Sequence, residues 1–468
     1  MSKRIVVIGG GPGGYVAAIR AAQLGASVRV VEKDRLGGTC LNAGCVPTKA
    51  LLHSAELYAA VRREGPTIGI FADNLRFDWT AIMNRKKEVV NYLVDCVGGL
   101  LRSNGVERLK GTARLIAQNA VEVIDPDRKR DVIEADAVIV ATGSEPAVPP
   151  IPGLDSEGVM TSDGALSLDV PPKRVAIAGG GVIGLEFASI FSSFGIPVVV
   201  VEMLPRILPN IDAEIAGVLR RSLEGRGVVF HTASRLESVT RTEEGLRLRV
   251  VTESGPVQPV VDRLLVATGR RPYTKALGLE DLGVATRRGR IVTDARMETN
   301  VGGLYAVGDC ASRIMLAHVA SREGEVAAEN AMGRPALMDY KTVPGAVYTS
   351  PAVASVGLSE DEARAAGHDV RVGRFPLAAN GKSVIAGDVE GMVKIVSDGR
   401  WGEVLGVHIA GGPATDMIAE GALALRLEAT LDEIVSTVHA HPTVSEAVGE
   451  AALASWAGAI HLPKPAAS

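Results

Sequence analysis

Cysteine is scarce in this chain: four in 468 residues. That count cannot build the disulfide framework of a small secreted scaffold. Aromatic residues make up only 4%. Neither sign of charge dominates, with 50 Lys and Arg against 54 Asp and Glu and a formal net charge of −4. A nucleic-acid binder would want a basic face, and this balance supplies none. No uninterrupted apolar run is long enough to cross a bilayer. The opening "MSKRIVVIGGG" enters a strand pattern at once and leaves no room for a secretory leader. A soluble, cytoplasmic protein of two to four domains is expected. What the chain does have is glycine, 53 residues of it, which suits an α/β protein with many tight turns.

The glycines fall in a repeat. "IVVIGGGPGGYVAAIRAAQLGASVRVVEKD", from Ile5, matches "VAIAGGGVIGLEFASIFSSFGIPVVVVEML", from Val175. Gly9, Gly11 and Gly14 correspond to Gly179, Gly181 and Gly184, Gly25 to Gly195, and Glu32 to Glu202. Each copy predicts a buried strand, a glycine turn, a helix and a second strand ending in an acid. In such a unit the glycines let the backbone turn and approach a pyrophosphate, the helix N-terminus faces the phosphates, and the acid accepts from the ribose hydroxyls. One glycine triplet is weak evidence; two with the same acid spacing are strong. The Glu202 carboxylate repels a 2′-phosphate, so NAD is favoured over NADP in the second unit. Arg206, four residues on, carries little weight against it.

Two more glycine turns, Ala141–Gly143 in "VIVATGSEP" and Ala267–Gly269 in "LLVATGRRP", predict the exits of the two nucleotide units. In "GLYAVGDCA", Asp309 follows a strand and a glycine. It is placed to hold a sugar-like chain, or else to cap a helix.

Two of the four cysteines stand together in "GGTCLNAGCVPTKALL": Cys40 and Cys45. A zinc site would want closer spacing and a second pair. Cys96 and Cys310 are isolated, and Cys96 is expected to be a small core residue, so no metal is assigned. A redox dithiol is the better reading. Gly44 relieves crowding between the two, Pro47 restrains the chain after them, and Lys49 shares a helical face with Cys45, where a cation favours the thiolate. The pair follows the first nucleotide unit closely, so it is expected beside the ring that nucleotide carries, as an electron relay. Near the other end, "STVHAHPTVSEAVGEAAL" offers His441 as a base for a thiol, with Glu446 orienting it. The bland reading is a helix beginning just after Pro442, with Thr443 and Glu446 as a capping box. For Glu446 both can hold. His439 is read as an ordinary loop histidine.

These motifs, together with "ATGRRP", "AVGDC" and "LAHVASREG", resemble the flavin-dependent pyridine nucleotide–disulfide oxidoreductases over essentially the whole chain. The resemblance implies an α/β fold with two Rossmann-like domains, for FAD and NAD, plus a C-terminal α+β dimerisation domain. It places the FAD-binding domain at 1–147, the NAD-binding domain at 148–271, a central region completing the FAD site at 272–343 and the interface domain at 344–468. It implies FAD contacts from Gly9, Gly11, Gly14, Glu32, Lys49, Gly111, Ala113, Thr142, Gly143, Asp309 and Ala317. NAD contacts would come from Gly179, Gly181, Gly184, Glu202 and Gly269. Cys40 would exchange with substrate and Cys45 would face the flavin. Lys49 would pair with Glu186, and a helix beginning near Leu316–His318 would point its positive end at the flavin.

His441 and Glu446 would reach the cysteines from the other subunit of a homodimer. The resemblance is greatest to members that oxidise dihydrolipoyl groups with NAD, which implies a lipoylated carrier or the E2 core of a 2-oxoacid dehydrogenase complex as partner. Such members commonly carry a glutamate where Ala352 stands. A glutathione-type reductase would want cations where Glu202 is. A mercuric reductase would want a C-terminal cysteine pair, and no cysteine follows Cys310. A flavoprotein scaffold without turnover is disfavoured by the intact Cys40, Cys45, Lys49 and His441. The tail "HLPKPAAS" is expected to be disordered.

Overall fold

The computed structural model describes residues 2–463. Two parallel five-stranded sheets carry the repeat. In the first, the strands run in the order Leu304–Ala306, Ala137–Val140, Arg4–Ile8, Ser27–Glu32, Glu107–Lys110. In the second, the order is Val229–His231, Val198–Val201, Val175–Ala178, Arg263–Val266, Val159–Met160. All their pairings are parallel. Their central strands are buried on both faces, which is why they read as unbroken apolar runs rather than alternating ones.

The two glycine turns coincide in detail. Gly9 and Gly179 sit at φ +104° and +115°, a conformation that L side chains rarely adopt. A Cβ on Gly14 would lie 1.9 Å from the Gly9 carbonyl oxygen, and one on Gly184 would lie 2.0 Å from that of Gly179. The exits also answer one another: Ser144–Pro146 and Arg270–Pro272 pair as a short antiparallel ribbon joining the two units.

The C-terminal region is an antiparallel five-stranded sheet. Its order is Gly345–Val347, Val353–Gly357, Val404–Ala410, Met392–Asp398, Val370–Pro376. Helices Ala414–Arg426 and Glu446–Trp456 contribute to its core. A buried ion cluster fastens this sheet to the second nucleotide unit. The Lys394 ammonium, 2% exposed as a residue, lies 2.9 Å from Asp212, 3.0 Å from Glu360 and 3.1 Å from Glu214. Burial alone would raise the Asp212 and Glu360 carboxyls, but hydrogen bonds from Lys394 hold both below their ordinary value.

Three expectations need correction. Cys96 is exposed rather than in the core. Helix Trp79–Ser103 buries Met83, Val90, Val97 and Leu101, and one residue of helix turns Cys96 about 100° away from Val97. The helix after Pro442 starts only at Glu446, with Ser445 as its N-cap and no side-chain cap bond. Glu446 is therefore the first helical residue, not the third of a capping box. At the tail, His461 is held by Glu450 at 2.8 Å and Leu462 packs on the C-terminal core; residues 464–468 lie outside the described ones. No helix among the described residues is long and apolar enough to cross a membrane.

Replacing Lys394 by Met should leave the buried Asp212 carboxylate without its cation, while Glu214 and Glu360 keep Arg374 at 2.7 and 2.9 Å. The expected cost at neutral pH is about 3–5 kcal/mol, seen as a lower urea midpoint. Asp212 and Glu360 have depressed folded pKa values, so the stability they contribute is present above the unfolded carboxylate range near 4 and is lost as pH falls from there through their lower folded values. The gap between wild type and Lys394→Met should therefore narrow below about pH 4. A gap that is absent at pH 7, or widens in acid, contradicts this account.

Candidate active site

Helix Cys45–Arg63 begins at Cys45 itself, with Gly44 as N-cap. Cys40 lies one short helix earlier, in Gly38–Ala43. The Asn42 amide ties the intervening loop by donating to the Leu36 and Gly38 carbonyls, both at 2.9 Å. The two cysteines stand on either side of the Gly44 turn, and the consequences for their thiols are opposite. Cys40 keeps its proton: donating to Cys45 raises its pKa, and burial raises it further. Cys45 is pushed down to about 7. The hydrogen bond from Cys40 is the main cause; partial burial opposes the shift and the Lys49 ammonium adds to it. A thiol at a helix N-terminus beside a lysine is where a thiolate is expected.

Lys49 is gripped from two regions. Its ammonium donates to both Glu186 oxygens, at 2.7 and 2.9 Å, and lies 4.6 Å from the centre of the Tyr348 ring. Glu186, on helix Val182–Ser193, is buried and also accepts the Tyr348 backbone N–H at 3.1 Å. The cysteine helix, the second nucleotide unit and the C-terminal sheet thus meet at one cation. Tyr15, on the first glycine-turn helix, lies beside Cys40; burial, then the Cys40 sulfur, push its phenol up.

The nucleotide creases are open where a ligand would need them. A Cβ on Gly11 would meet only the Gly38 Cα, at 3.8 Å, and one on Gly181 would meet nothing within 4 Å. Both are N-caps without a side-chain bond. Glu32 accepts the Gly10 and Asp34 N–H groups at 2.7 and 2.8 Å, and Glu202 accepts those of Gly180 and Leu204 at 2.6 and 2.8 Å. The carboxylates are locked in place and keep lone pairs for ribose hydroxyls. Arg206 donates to the Ile211 and Pro209 carbonyls and forms no ion pair with Glu202 among the described residues.

Around the first crease, Gly111 donates its N–H to the Glu32 carbonyl. Ala113 buries its methyl in the core, leaving only backbone to offer. The Thr142 hydroxyl donates to the Tyr273 carbonyl at 2.6 Å. Gly143 and Gly269 face open space. Asp309 accepts from the Ser144 hydroxyl, which itself accepts from Arg270 at 2.7 Å. Buried Glu323 fixes the turn that carries Asp309 by accepting the Gly308 N–H at 2.7 Å. Helix Ala317–Ala331 starts at Ala317 with no side-chain cap, leaving free N–H groups for a ligand. These residues fit two dinucleotides.

At the far end, His441 Nδ1 bonds Glu446 Oε1 at 2.8 Å, and Glu446 Oε2 accepts the Thr443 N–H at 2.9 Å. The Thr443 bond is the main reason the Glu446 carboxyl lies below its ordinary value; burial opposes and His441 adds to it. The His441 side chain is 79% exposed. Among the described residues, no hydrogen bond or ion pair joins it to the cysteine pair. His439 instead bonds Glu420 at 2.8 Å and is mostly buried. Tyr15, Ser144, Arg270 and Glu323 stand inside motifs quoted from the sequence, yet neither they nor Tyr348 were singled out there, because their contacts reach residues far along the chain.

Residues 3–324 match the pyridine nucleotide-disulphide oxidoreductase family and residues 343–452 match that family's dimerisation domain. The chain is 44% identical to a dihydrolipoyl dehydrogenase of Thermus scotoductus and 41% identical to one of Bacillus subtilis, covering 98% of both partners in each case. It is 40% identical to leghemoglobin reductase of Glycine max, over 97% of this chain and 87% of that one. Among solved structures, LpdA of Mycobacterium tuberculosis superposes with a TM-score of 0.89 at 31% identity, covering 96% of this chain and 99% of the other. The HOCl-induced flavoprotein disulfide reductase RclA of Escherichia coli, as its Cu(II) complex, does so at 0.86 and 29%, covering 97% and 99%.

In the reduced protein, ultraviolet titration should show one thiolate appearing with a midpoint of about 7. Removing the cation by Lys49→Met should move that midpoint up by roughly one unit. A wild-type midpoint near 9, or one that ignores Lys49, contradicts the assignment.

Proposed function

The chain belongs to the pyridine nucleotide-disulphide oxidoreductase family, and on that premise we propose that it oxidises dihydrolipoyl groups to lipoyl with NAD as acceptor. It is a flavoprotein oxidoreductase that uses FAD and NAD, and its C-terminal region is a dimerisation domain. In this reading residues 1–147 and 272–343 hold FAD, residues 148–271 hold NAD, and the chain from 344 onward forms the subunit interface. The substrate is a dihydrolipoyl group on a carrier protein or on the E2 core of a 2-oxoacid dehydrogenase complex.

One observation carries the proposal: Cys40 and Cys45 flank the Gly44 turn, and Cys45 opens a helix whose next turn bears Lys49, held by Glu186 at 2.7 and 2.9 Å. In the oxidised enzyme the two sulfurs form a disulfide. The partner subunit's His441 takes a proton from one substrate thiol, and that thiolate attacks the Cys40 sulfur. The Cys40–Cys45 bond breaks, and Cys45 leaves as the thiolate its surroundings favour. The second substrate thiol then attacks the sulfur bonded to Cys40. The substrate disulfide closes, and Cys40 leaves and takes up a proton, as its raised pKa requires. Bound FAD supplies the two-electron passage between the Cys45 sulfur and NAD.

Other residues of this chain hold the arrangement. Glu186 and Tyr348 fix Lys49, and Glu446 fixes the ring of His441. Asp309, Ser144 and Arg270 form a polar set suited to a ribityl chain. The locked Glu202 favours a ribose with two free hydroxyls, which separates this reading from an NADP-linked glutathione-type reductase.

Two variants of the purified holoenzyme test the division of labour. Cys45→Ser should retain FAD and lose dihydrolipoamide oxidation. His441→Ala should slow that oxidation by about 100-fold or more and leave NADH-to-quinone diaphorase activity nearly intact. Turnover of dihydrolipoamide by Cys45→Ser, or equal loss of both activities in His441→Ala, would remove the mechanism.

A further inference from the structure

The loop that carries His441 has a buried anchor outside the histidine motif. Asn380, 4% exposed, stands in "LAANGKS", far from His441 in sequence. Its Oδ1 accepts the Ser383 N–H at 2.9 Å and so caps helix Gly381–Ala386. Its Nδ2 donates to the Thr443 carbonyl at 3.0 Å. The same residue's N–H is held by Glu446 Oε2, and its hydroxyl donates to the Ala440 carbonyl at 2.7 Å. Thr443 is therefore pinned on both sides, by Glu446 and by Asn380. Glu446 in turn holds His441 Nδ1 at 2.8 Å. The next residue, Val444, packs on the C-terminal core. The imidazole itself is exposed, so within this chain its aim depends on this run of hydrogen bonds.

We propose that Asn380 is a positioning residue for the thiol-oxidising base: its amide, by fixing the Thr443 peptide, sets where the Glu446–His441 couple points. The inference rests on the reading of His441 as that base. Asn380 does not touch the reacting sulfurs. A capping residue needs only an acceptor, and Ser caps as well as Asn. The amide donor is the surplus feature, and the Thr443 carbonyl is what it is spent on.

Asn380→Ser separates the two functions, since it keeps an acceptor for the Ser383 N–H and loses the donor to Thr443. In stopped-flow experiments with dihydrolipoamide, the holoenzyme variant should reduce its disulfide about 10-fold or more slowly, because a small displacement of a catalytic group is costly. The loss should fall on kcat for thiol oxidation. The KM for NAD, FAD content, dimer mass and diaphorase activity should stay within about twofold of wild type. Ser383→Ala removes a hydroxyl that has no partner and leaves both Asn380 bonds; it should behave as wild type. Should Asn380→Ser yield no folded dimer, Asn380→Asp, which also caps, carries the same comparison.

Thiol oxidation at the wild-type rate in the Asn380 variant, beside a slow His441→Ala, overturns the positioning role alone. A His441→Ala enzyme that oxidises dihydrolipoamide normally overturns the base reading and this proposal with it. Parallel loss of diaphorase activity in the Asn380 variant also overturns it, by marking Asn380 as a general structural support.

Discussion

Two sulfurs that exchange with a substrate and also pass electrons onward cannot be equivalent. One must leave as a stable anion, and the other must end protonated. Their unlike surroundings establish that inequality. Cys45 opens a helix of 19 residues, and its neighbour one turn on is Lys49. That lysine owes its place to a buried carboxylate on another domain and to a tyrosine on a third. An ammonium placed by three regions at once is held more narrowly than one on an exposed helix face. The polarity of the dithiol is therefore a property of the assembled fold.

The repeat explains why the assembly is possible. Two copies of one strand–turn–helix unit put two creases on one molecule, and their exits pair as a ribbon through Ser144–Pro146 and Arg270–Pro272. That ribbon carries Ser144 and Arg270 to Asp309, so the joint between the units is also part of the first crease. On the other side, Lys394 binds the C-terminal sheet to the second unit. The His441 imidazole is exposed on the C-terminal region, and among the described residues no bond joins it to the cysteine pair.

Most of this was legible in the sequence where local chemistry decides the outcome. A glycine at positive φ with an acid closing the next strand leaves a pattern because no other residue types do the job. The dithiol was legible for the same reason, and so was the Lys49–Glu186 meeting, through the family resemblance. Tyr348, Tyr15 and Asn380 were not, because their roles come from long-range packing, which even Tyr15's place inside the first glycine motif does not reveal. Cys96 misled because a small apolar residue in an amphipathic helix does not declare which face it is on. Thr443 and Glu446 imitate a capping box, yet the helix starts too late to use it; Glu446 instead spends one oxygen on the Thr443 N–H and the other on His441.

Among the described residues, the 79% exposed His441 imidazole bonds Glu446; in the proposed mechanism it is half of a site, and the cysteine pair is the other half. The direct test is subunit complementation. Differently tagged chains, one carrying Cys45→Ser and the other His441→Ala, are co-expressed, and the mixed dimer is isolated. A site built across the interface leaves one complete set of groups per mixed dimer, so dihydrolipoamide oxidation should return to about half the wild-type level per dimer, although each parent homodimer is impaired. A mixed dimer no more active than its parents would mean that base and sulfurs belong to one subunit, and the account would fall.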